Sequence, residues 1–390
     1  RETTMKSNTP ADGIHVMVPR EKMTEGARKM RDTYAITPGA PLYRREFGYF
    51  TLERWREEGK ISDGGLDELF MFDPPGKHQM YHLGWCEAEF APGFEEKVIE
   101  RRSDYEVVQD VAGRHLLCFA GRRSGFMPEY LDHPVKDMKT WVENVKWRLA
   151  VDAAGRFDYL EKEVREARTA AGQGLMITQC VIGAYMYLRS LVGPEGLLYA
   201  FYDMPDVIRD CMETWLQLAD AVTARHQEYV TLDEIFFGED ICYNHGALIS
   251  PEMMKEFLLP YYRQLIENTR RRQIDKSRHL FVQIDTDGYV EDVIPIYAGI
   301  GMDAMSPFEV AAGNDLLRIA KEHPRLVMTG GIDKRVLAKG PKAIDEFLGR
   351  LIPPMRERGG FIPTWDHGVP EEVSFENYMH YRKRVVQLGG

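Results

Sequence analysis

The chain has 390 residues, 44% of them hydrophobic, 11% aromatic and 28% charged, a balance that excludes a disordered or fibrous protein. Its 50 Lys and Arg against 61 Asp and Glu leave a net charge of -11, which argues against nucleic acid as the main partner. No apolar run is long enough to span a bilayer, and Arg1-Glu2-Thr3-Thr4-Met5-Lys6 carries no apolar signal-peptide core, so a cytoplasmic protein that avoids membranes is expected.

The first third is cut by turn clusters such as Thr37-Pro38-Gly39, Ser62-Asp63-Gly64-Gly65 and Asp73-Pro74-Pro75-Gly76. Short antiparallel strands are expected at 96–100, 105–108 and 115–119, the last two parted by Asp110-Val111-Ala112-Gly113. From 136 to 170 helical spacing predominates, predicting two helices broken near Ala154-Gly155.

Beyond Leu175 the rhythm is regular. Apolar runs of strand length at 175–180, 234–237, 279–284, 302–305, 325–328 and 360–363 alternate with helical stretches. Continuous apolar runs are what strands buried on both faces of a parallel sheet require. The helix over 205–227 places Ile208, Met212, Trp215, Leu216, Ala219 and Val222 on one stripe, with Asp203 as its expected cap; another should start at Ser250-Pro251.

Six strand-helix units point to an α/β protein, a (β/α)8 TIM barrel whose two remaining strands are sought at 14–18 and 69–72. The expected organisation is a single domain, with 1–130 an N-terminal elaboration holding a small antiparallel sheet and the first part of the barrel, and 131–390 its main body. An open doubly wound sheet is the alternative, but neither phosphate-binding glycine motif is present.

In a parallel barrel the residues after each strand meet at one mouth. Here those positions read Gly238-Glu239-Asp240, Asp285-Thr286-Asp287-Gly288, Ser306-Pro307-Phe308-Glu309, Gly330-Gly331-Ile332-Asp333 and Trp365-Asp366-His367-Gly368. Carboxylates crowded into one cleft raise each other's pKa unless a cation, a metal or shared protons relieve them. Asp240, Asp285, Asp287 and His367 are therefore the candidate catalytic residues, and Glu239, Asp333 and Glu309 candidates for substrate binding.

Each has a structural reading too. Asp287-Gly288 can be a turn, Asp333 a helix cap and His367 a packed histidine. Adjacent guanidinium groups in Gly121-Arg122-Arg123-Ser124-Gly125 could hold an anionic substrate group. Arg270-Arg271-Arg272 reads as a solvated helix end, and Cys180, Cys242, Tyr185 and Tyr187 as packing residues. The five cysteines, Cys86 and Cys118 with Cys180, Cys211 and Cys242, form no Cys-x-x-Cys pair and are expected to be reduced.

Gly238-Glu239-Asp240, the run from Asn244-His245-Gly246 through Ser250-Pro251-Glu252-Met253 to Pro260-Tyr261, Gly330-Gly331-Ile332-Asp333, and His367-Gly368-Val369-Pro370 with Glu376-Asn377 together resemble the uroporphyrinogen decarboxylase superfamily. The resemblance covers about residues 175–390. Gly48-Tyr49-Phe50 with Trp55, and Met127-Pro128, are similar to its methyltransferase-like members. It implies a single barrel with its active site at the mouth, and a homodimer.

Decarboxylases of this kind act without a cofactor, with arginines binding carboxylates. The methyltransferases exchange a methyl group with a corrinoid carrier protein, often with zinc activating a thiol. The chain departs from both, since the decarboxylase motif Arg-Gln-Ala-Gly-Arg is absent and Asp285 and Asp287 stand where the thiol-activating branch has His-x-Cys. A soft zinc site would lose its best ligands there.

The leading expectation is a methyltransferase or demethylase moving a methyl group between a small methylated substrate, or a methyl carrier, and a corrinoid protein partner, with a divalent metal at the acids left open. A decarboxylase of a carboxylated substrate, using Arg122 and Arg123 as clamps, is the first alternative. A barrel that binds a ligand without turnover is the second.

Overall fold

The computed structural model describes residues 21, 23–73, 80–85, 87, 89–121 and 128–390. Seven parallel strands form one curled sheet: β1 Met80–Gly84, β2 Met176–Ile182, β3 Glu234–Gly238, β4 Phe281–Asp285, β5 Ala304–Phe308, β6 Val327–Gly331 and β7 Phe361–Thr364. Each pairs with the next in sequence order, as in a barrel wound in one direction. Register sets Cys180 of β2 opposite Phe236 of β3, itself opposite Gln283 of β4, and one step higher sets Ile182, Gly238 and Asp285 in line.

Strand alternation divides the side chains. Ile177, Ile235, Phe237, Val282, Ile284 and Met305 pack outward, in the cluster that also holds Trp215 and Tyr262 of the surrounding helices. Met80, Met176, Phe281, Ala304, Val327 and Ile362 turn inward at the other end and pack with Met30, Tyr34 and Tyr43. Met30 and Tyr34 belong to helix α1, Glu25–Tyr34, which closes the floor of the barrel. The same alternation aims His82, Thr178, Cys180, Phe236, Gln283 and Ser306 into the lumen above that floor.

The six strands read from continuous apolar runs are all present, shifted by two residues or fewer at their starts. The first strand is Met80–Gly84 and not the segment 69–72, where the helix Leu66–Leu69 gives way to a turn. Met-Tyr-His-Leu-Gly contains no β-branched residue, and its inward face is Met, His and Gly, so it carries little strand signal. The other candidate, 14–18, lies outside the described residues. Between β7 and β1 the chain 42–49 takes the eighth place without a regular ladder. Tyr43 packs with Met80 and Ile362 from the two edge strands, Thr364 donates to Glu46 at 3.0 Å, and Gly48–Tyr49 pairs in parallel with Gly368–Val369.

The three strands expected before residue 120 are present as Lys97–Arg102, Tyr105–Gln109 and His115–Phe119, and an unforeseen fourth, Glu129–Asp132, completes a four-stranded antiparallel sheet with them. Two expectations change. The first helix of 136–170 is a series of short turns, from Met138–Thr140 through a π segment at Trp141–Val145 to Lys146–Leu149, before helix α2, Leu160–Gly172. Asp203 does not cap Pro205–Gln227 but ends the preceding helix, and the cap position is Met204, because Pro205 begins the new helix directly. Ser250 caps Pro251–Met253 as expected, accepting from the Met253 backbone N–H. No helix among the described residues is long and apolar enough to cross a membrane.

Candidate active site

The exits of β3, β4, β5 and β7 enclose an open cavity of about 210 Å³ lined by Phe47, Asp240, Asp285, Asp287, Asp366 and His367, with Met186, Gly238 and Pro307. That is below the range usual for drug-sized ligands and suits a small substrate. A second cavity lies on the outer side of β2 among Trp85, Leu149, Trp215 and Leu218, but its free space of about 30 Å³ holds little more than a water.

Backbone hydrogen bonds lock the exits together. The Asp285 carbonyl accepts from the backbone N–H groups of Glu239 at 2.8 Å and Asp240 at 3.1 Å, so the loop after β3 is pinned to the end of β4. Thr286 Oγ1 accepts from the N–H groups of Ile241 and Cys242. Asp240 adopts φ 45°, a left-handed conformation that Asp tolerates better than most residues, and its carboxylate pairs with Arg189. Gly288 has φ 83°, and a side chain there would lie 2.6 Å from the Tyr243 carbonyl, so the turn after Asp287 requires glycine.

Asp285 anchors a polar chain down the lumen. Ser306 Oγ donates to its carboxylate at 2.5 Å, Gln283 Nε2 donates to Ser306 at 2.7 Å, and Tyr34 Oη lies 3.0 Å from Gln283 Oε1. Tyr34 also donates to Glu234, which accepts from Thr178 as well. Burial raises the Asp285 pKa to about 7, aided by the charges of Asp287 and Asp240 against the Ser306 hydrogen bond and Arg45. Burial also lifts Glu234 to about 7, opposed by its Tyr34 and Thr178 hydrogen bonds. Two carboxyls near neutrality therefore sit at opposite ends of one hydrogen-bonded chain.

His367 bridges two acids, with Nε2 3.3 Å from Asp287 Oδ2 and Nδ1 3.0 Å from Asp366 Oδ2. Hydrogen bonds to Asp287 and Asp366 raise its pKa to about 10 despite desolvation. Burial opposes ionisation of Asp366, yet His367 and Lys334, the latter at 2.6 Å, hold it down at about 2. The mouth thus carries an imidazolium clamped between carboxylates next to a carboxyl poised near neutrality. Such a pairing can give a proton to a leaving atom and stabilise negative charge that develops beside it.

The structure brings Asp240, Asp285, Asp287 and His367 together. The other sequence candidates stand elsewhere. Glu239 is fully buried, accepting from Tyr262 and from Tyr297 at 2.8 Å, with burial raising it to about 7; it faces the helices behind the sheet and does not line the cavity. The chain turns at Asp240 through its left-handed conformation, so the adjacent side chains of Glu239 and Asp240 fall on different sides. Asp333 caps Lys334–Leu337 and pairs with Arg335 at 2.8 Å, leaving it occupied as a helix cap. Glu309 accepts from the Gly288 N–H at 3.0 Å and so shapes the Asp287 turn from behind. Arg122 and Arg123 lie outside the described residues.

Sequence reasoning missed Arg45, Ser306, Gln283 and Lys334. The half-buried Arg45 has no hydrogen-bond or ion-pair partner among the described residues, yet its charge bears on Tyr34, Glu234 and Asp285. A usable signal existed, because Arg45-Glu46-Phe47-Gly48-Tyr49 keeps the first arginine and the glycine of the Arg-Gln-Ala-Gly-Arg pattern. Ser306 and Gln283 gave no such signal, being ordinary strand residues until register placed them under Asp285.

The donor set does not fit a zinc ion. Asp240 is tied to Arg189 and both imidazole nitrogens of His367 face carboxylates. Among the described residues no group of three or more His, Cys, Asp or Glu side chains is arranged to hold a metal.

The model of the uroporphyrinogen decarboxylase family matches residues 125–387. No curated protein matches the chain. Among solved structures, a methyltransferase from Methanosarcina mazei superposes with a TM-score of 0.56 at 14% identity, over 93% of this chain and 98% of that one. Xylanase B from Clostridium stercorarium F9 gives 0.31 at 10% identity, over 58% of this chain and 76% of its own.

Proposed function

The chain belongs to the uroporphyrinogen decarboxylase family, and from that premise we propose that it is a methyltransferase-type barrel enzyme that removes a methyl group from a small methoxylated or N-methylated compound and delivers it to a corrinoid carried by a partner protein. The observation that carries this reading is the pairing at the mouth of the half-buried Asp285, whose pKa desolvation raises to about 7, with the His367–Asp287 ion pair. The Methanosarcina methyltransferase supports the choice only through its shared fold.

Demethylation of an ether or amine breaks a carbon–heteroatom bond and leaves its electron pair on oxygen or nitrogen. That atom is a poor leaving group unless it is protonated. Asp285 supplies the proton, and Ser306, already donating to its carboxylate, stabilises the anion left behind. The His367 imidazolium, held between Asp287 and Asp366, orients the substrate's polar group and offsets developing negative charge. A cavity of about 210 Å³ is too small to enclose a corrin ring, so a corrinoid carried by the partner would have to approach from outside, and it would supply the nucleophile for the methyl group.

The test is to mix the protein with cob(I)alamin and a panel of methoxylated aromatic and N-methylated compounds and follow the corrinoid spectrum. Conversion that is lost in Asp285→Asn supports the proposal; no spectral change with any donor sinks it.

One observation favours a second reading. The Arg45 guanidinium, without a hydrogen-bond or ion-pair partner among the described residues, could anchor a substrate carboxylate, as decarboxylation of a carboxylated compound would require. Carbon dioxide release from a panel of small acids, abolished by Arg45→Ala, would favour it over methyl transfer.

A further inference from the structure

Deeper in the lumen than the carboxylates lies a pair of side chains for which methyl transfer at the mouth has no use. His82 of β1 and Cys180 of β2 both point inward, and Cys180 Sγ lies 3.6 Å from His82 Nδ1, within sulfur–nitrogen hydrogen-bond range. Register explains the meeting. Gly84 is aligned with Cys180 and His82 with Thr178, so the imidazole reaches up one step along the pleat to the thiol. The absence of a side chain on Gly84 is required, since a Cβ there would fall 2.3 Å from the Cys180 carbonyl.

Direction and access set this cysteine apart. Gln179, the preceding residue, turns outward to His226 at 2.7 Å on Pro205–Gln227, and Thr178 turns inward to Glu234, so alternation places the Cys180 side chain in the lumen. His82 is exposed there and Cys180 half-buried, whereas Cys118, Cys211 and Cys242 are buried at 2%, 0% and 6% exposure. On its β3 side the thiol's neighbour is the uncharged Phe236; Glu234 is engaged by Tyr34 and Thr178, and Asp285 by Ser306. Arg45, whose charge bears on Glu234 and Asp285, adds positive potential to the lumen.

We propose that Cys180 and His82 form a thiolate–imidazolium nucleophile on the lumen wall that takes alkyl groups from soft carbon electrophiles, such as sulfonium or activated methyl compounds. In that step the thiol proton resides on His82 Nδ1, the Sγ–carbon bond forms, and the bond from carbon to the leaving group breaks with its electron pair on the leaving group. The site goes beyond the demethylation reading and needs neither Asp285 nor a corrinoid, so failure of either leaves the other intact.

The test is alkylation of the full chain with iodoacetamide, read by mass spectrometry on the peptide carrying Cys180, with methyl 4-nitrobenzenesulfonate as a methyl-donor probe. At pH 7 the Cys180 rate should exceed that of free cysteine by roughly five- to tenfold, because a neighbouring imidazolium enlarges the thiolate fraction. His82→Asn should return the rate to the free-cysteine value or below, and the sulfonate should add one methyl group to Cys180 in the unaltered chain. A Cys180 rate no faster than free cysteine, or one unchanged by His82→Asn, overturns the proposal. Should the variant fail to fold, the pH–rate profile of the unaltered chain decides, with an inflection below about 7.5 in favour and a single inflection near about 8.5, the value of an isolated thiol, against.

Discussion

His367 Nε2 lies 3.3 Å from Asp287 Oδ2, joining the exit of β7 to that of β4 across the mouth. The raised pKa of about 10 places the histidine in its charged form throughout the neutral range. Unfolding returns it to about 6.5, so the stabilising contribution is fully present below that pH and is lost as pH rises through about 10. NMR titration of the imidazole should show it protonated at pH 8, with a lower titration midpoint in Asp287→Asn. A midpoint near 6.5 in the unaltered protein would exclude the ion pair.

Asp285 is expected to behave as an acid across the lower neutral range. Its pKa of about 7 lies above the unfolded value of about 3.9, so its contribution to stability is complete below about pH 4 and falls away as pH rises through about 7. Asp285→Asn should flatten the stability profile between those limits and lower turnover by roughly 10²- to 10⁴-fold. Denaturant unfolding at pH 4.5 and pH 8 checks the first part, and an unchanged pH dependence would remove the assigned protonation.

Arg45→Ala should weaken binding of small carboxylates by about 10- to 100-fold, the loss of a charge-assisted contact. It should also push Asp285 further up, since the Arg45 charge opposes the effect of burial. Calorimetry with acetate-sized and larger acids reads the first effect, and equal affinities for the two proteins would place Arg45 outside the binding path.

Arg382 on the C-terminal helix is fully buried and pairs with Glu46 at 3.1 Å, while Glu46 holds Thr364 of β7. Arg382→Met should cost about 3–5 kcal/mol at pH 8, where it strands a buried carboxylate. Burial raises Glu46 to about 7, so the penalty should shrink at pH 5, where that carboxyl is protonated. Urea unfolding at the two pH values measures this, and an equal loss at both would show that packing, not charge, is at stake.

Much of the architecture was legible because strands covered on both faces must be continuously apolar. Runs such as 279–284 and 360–363 identify themselves on that ground, and their ends locate Asp285, Asp287 and His367. Met80–Gly84 escaped because its inward face is Met, His and Gly, of which only Met80 packs into the floor while His82 and Gly84 border the lumen. The eighth place in the barrel escaped because 42–49 holds it through Tyr43 packing, Glu46 hydrogen bonds and two bridge residues, none of which leaves a periodic pattern.

By itself the sequence determined the parallel barrel and the crowding of acids at its strand ends, since both follow from local periodicity and from the polarity of all parallel strands. Only the tertiary structure decided which acids share the cavity. Asp240 enters it and its neighbour Glu239 turns behind the sheet, and Asp285 comes to rest on Ser306 and Gln283 from the floor below while His367 closes on Asp287. Those choices depend on register between strands far apart in the chain and on burial by neighbours from other elements, and a one-residue step is enough to reverse a side chain. The same dependence brings Cys180 to His82.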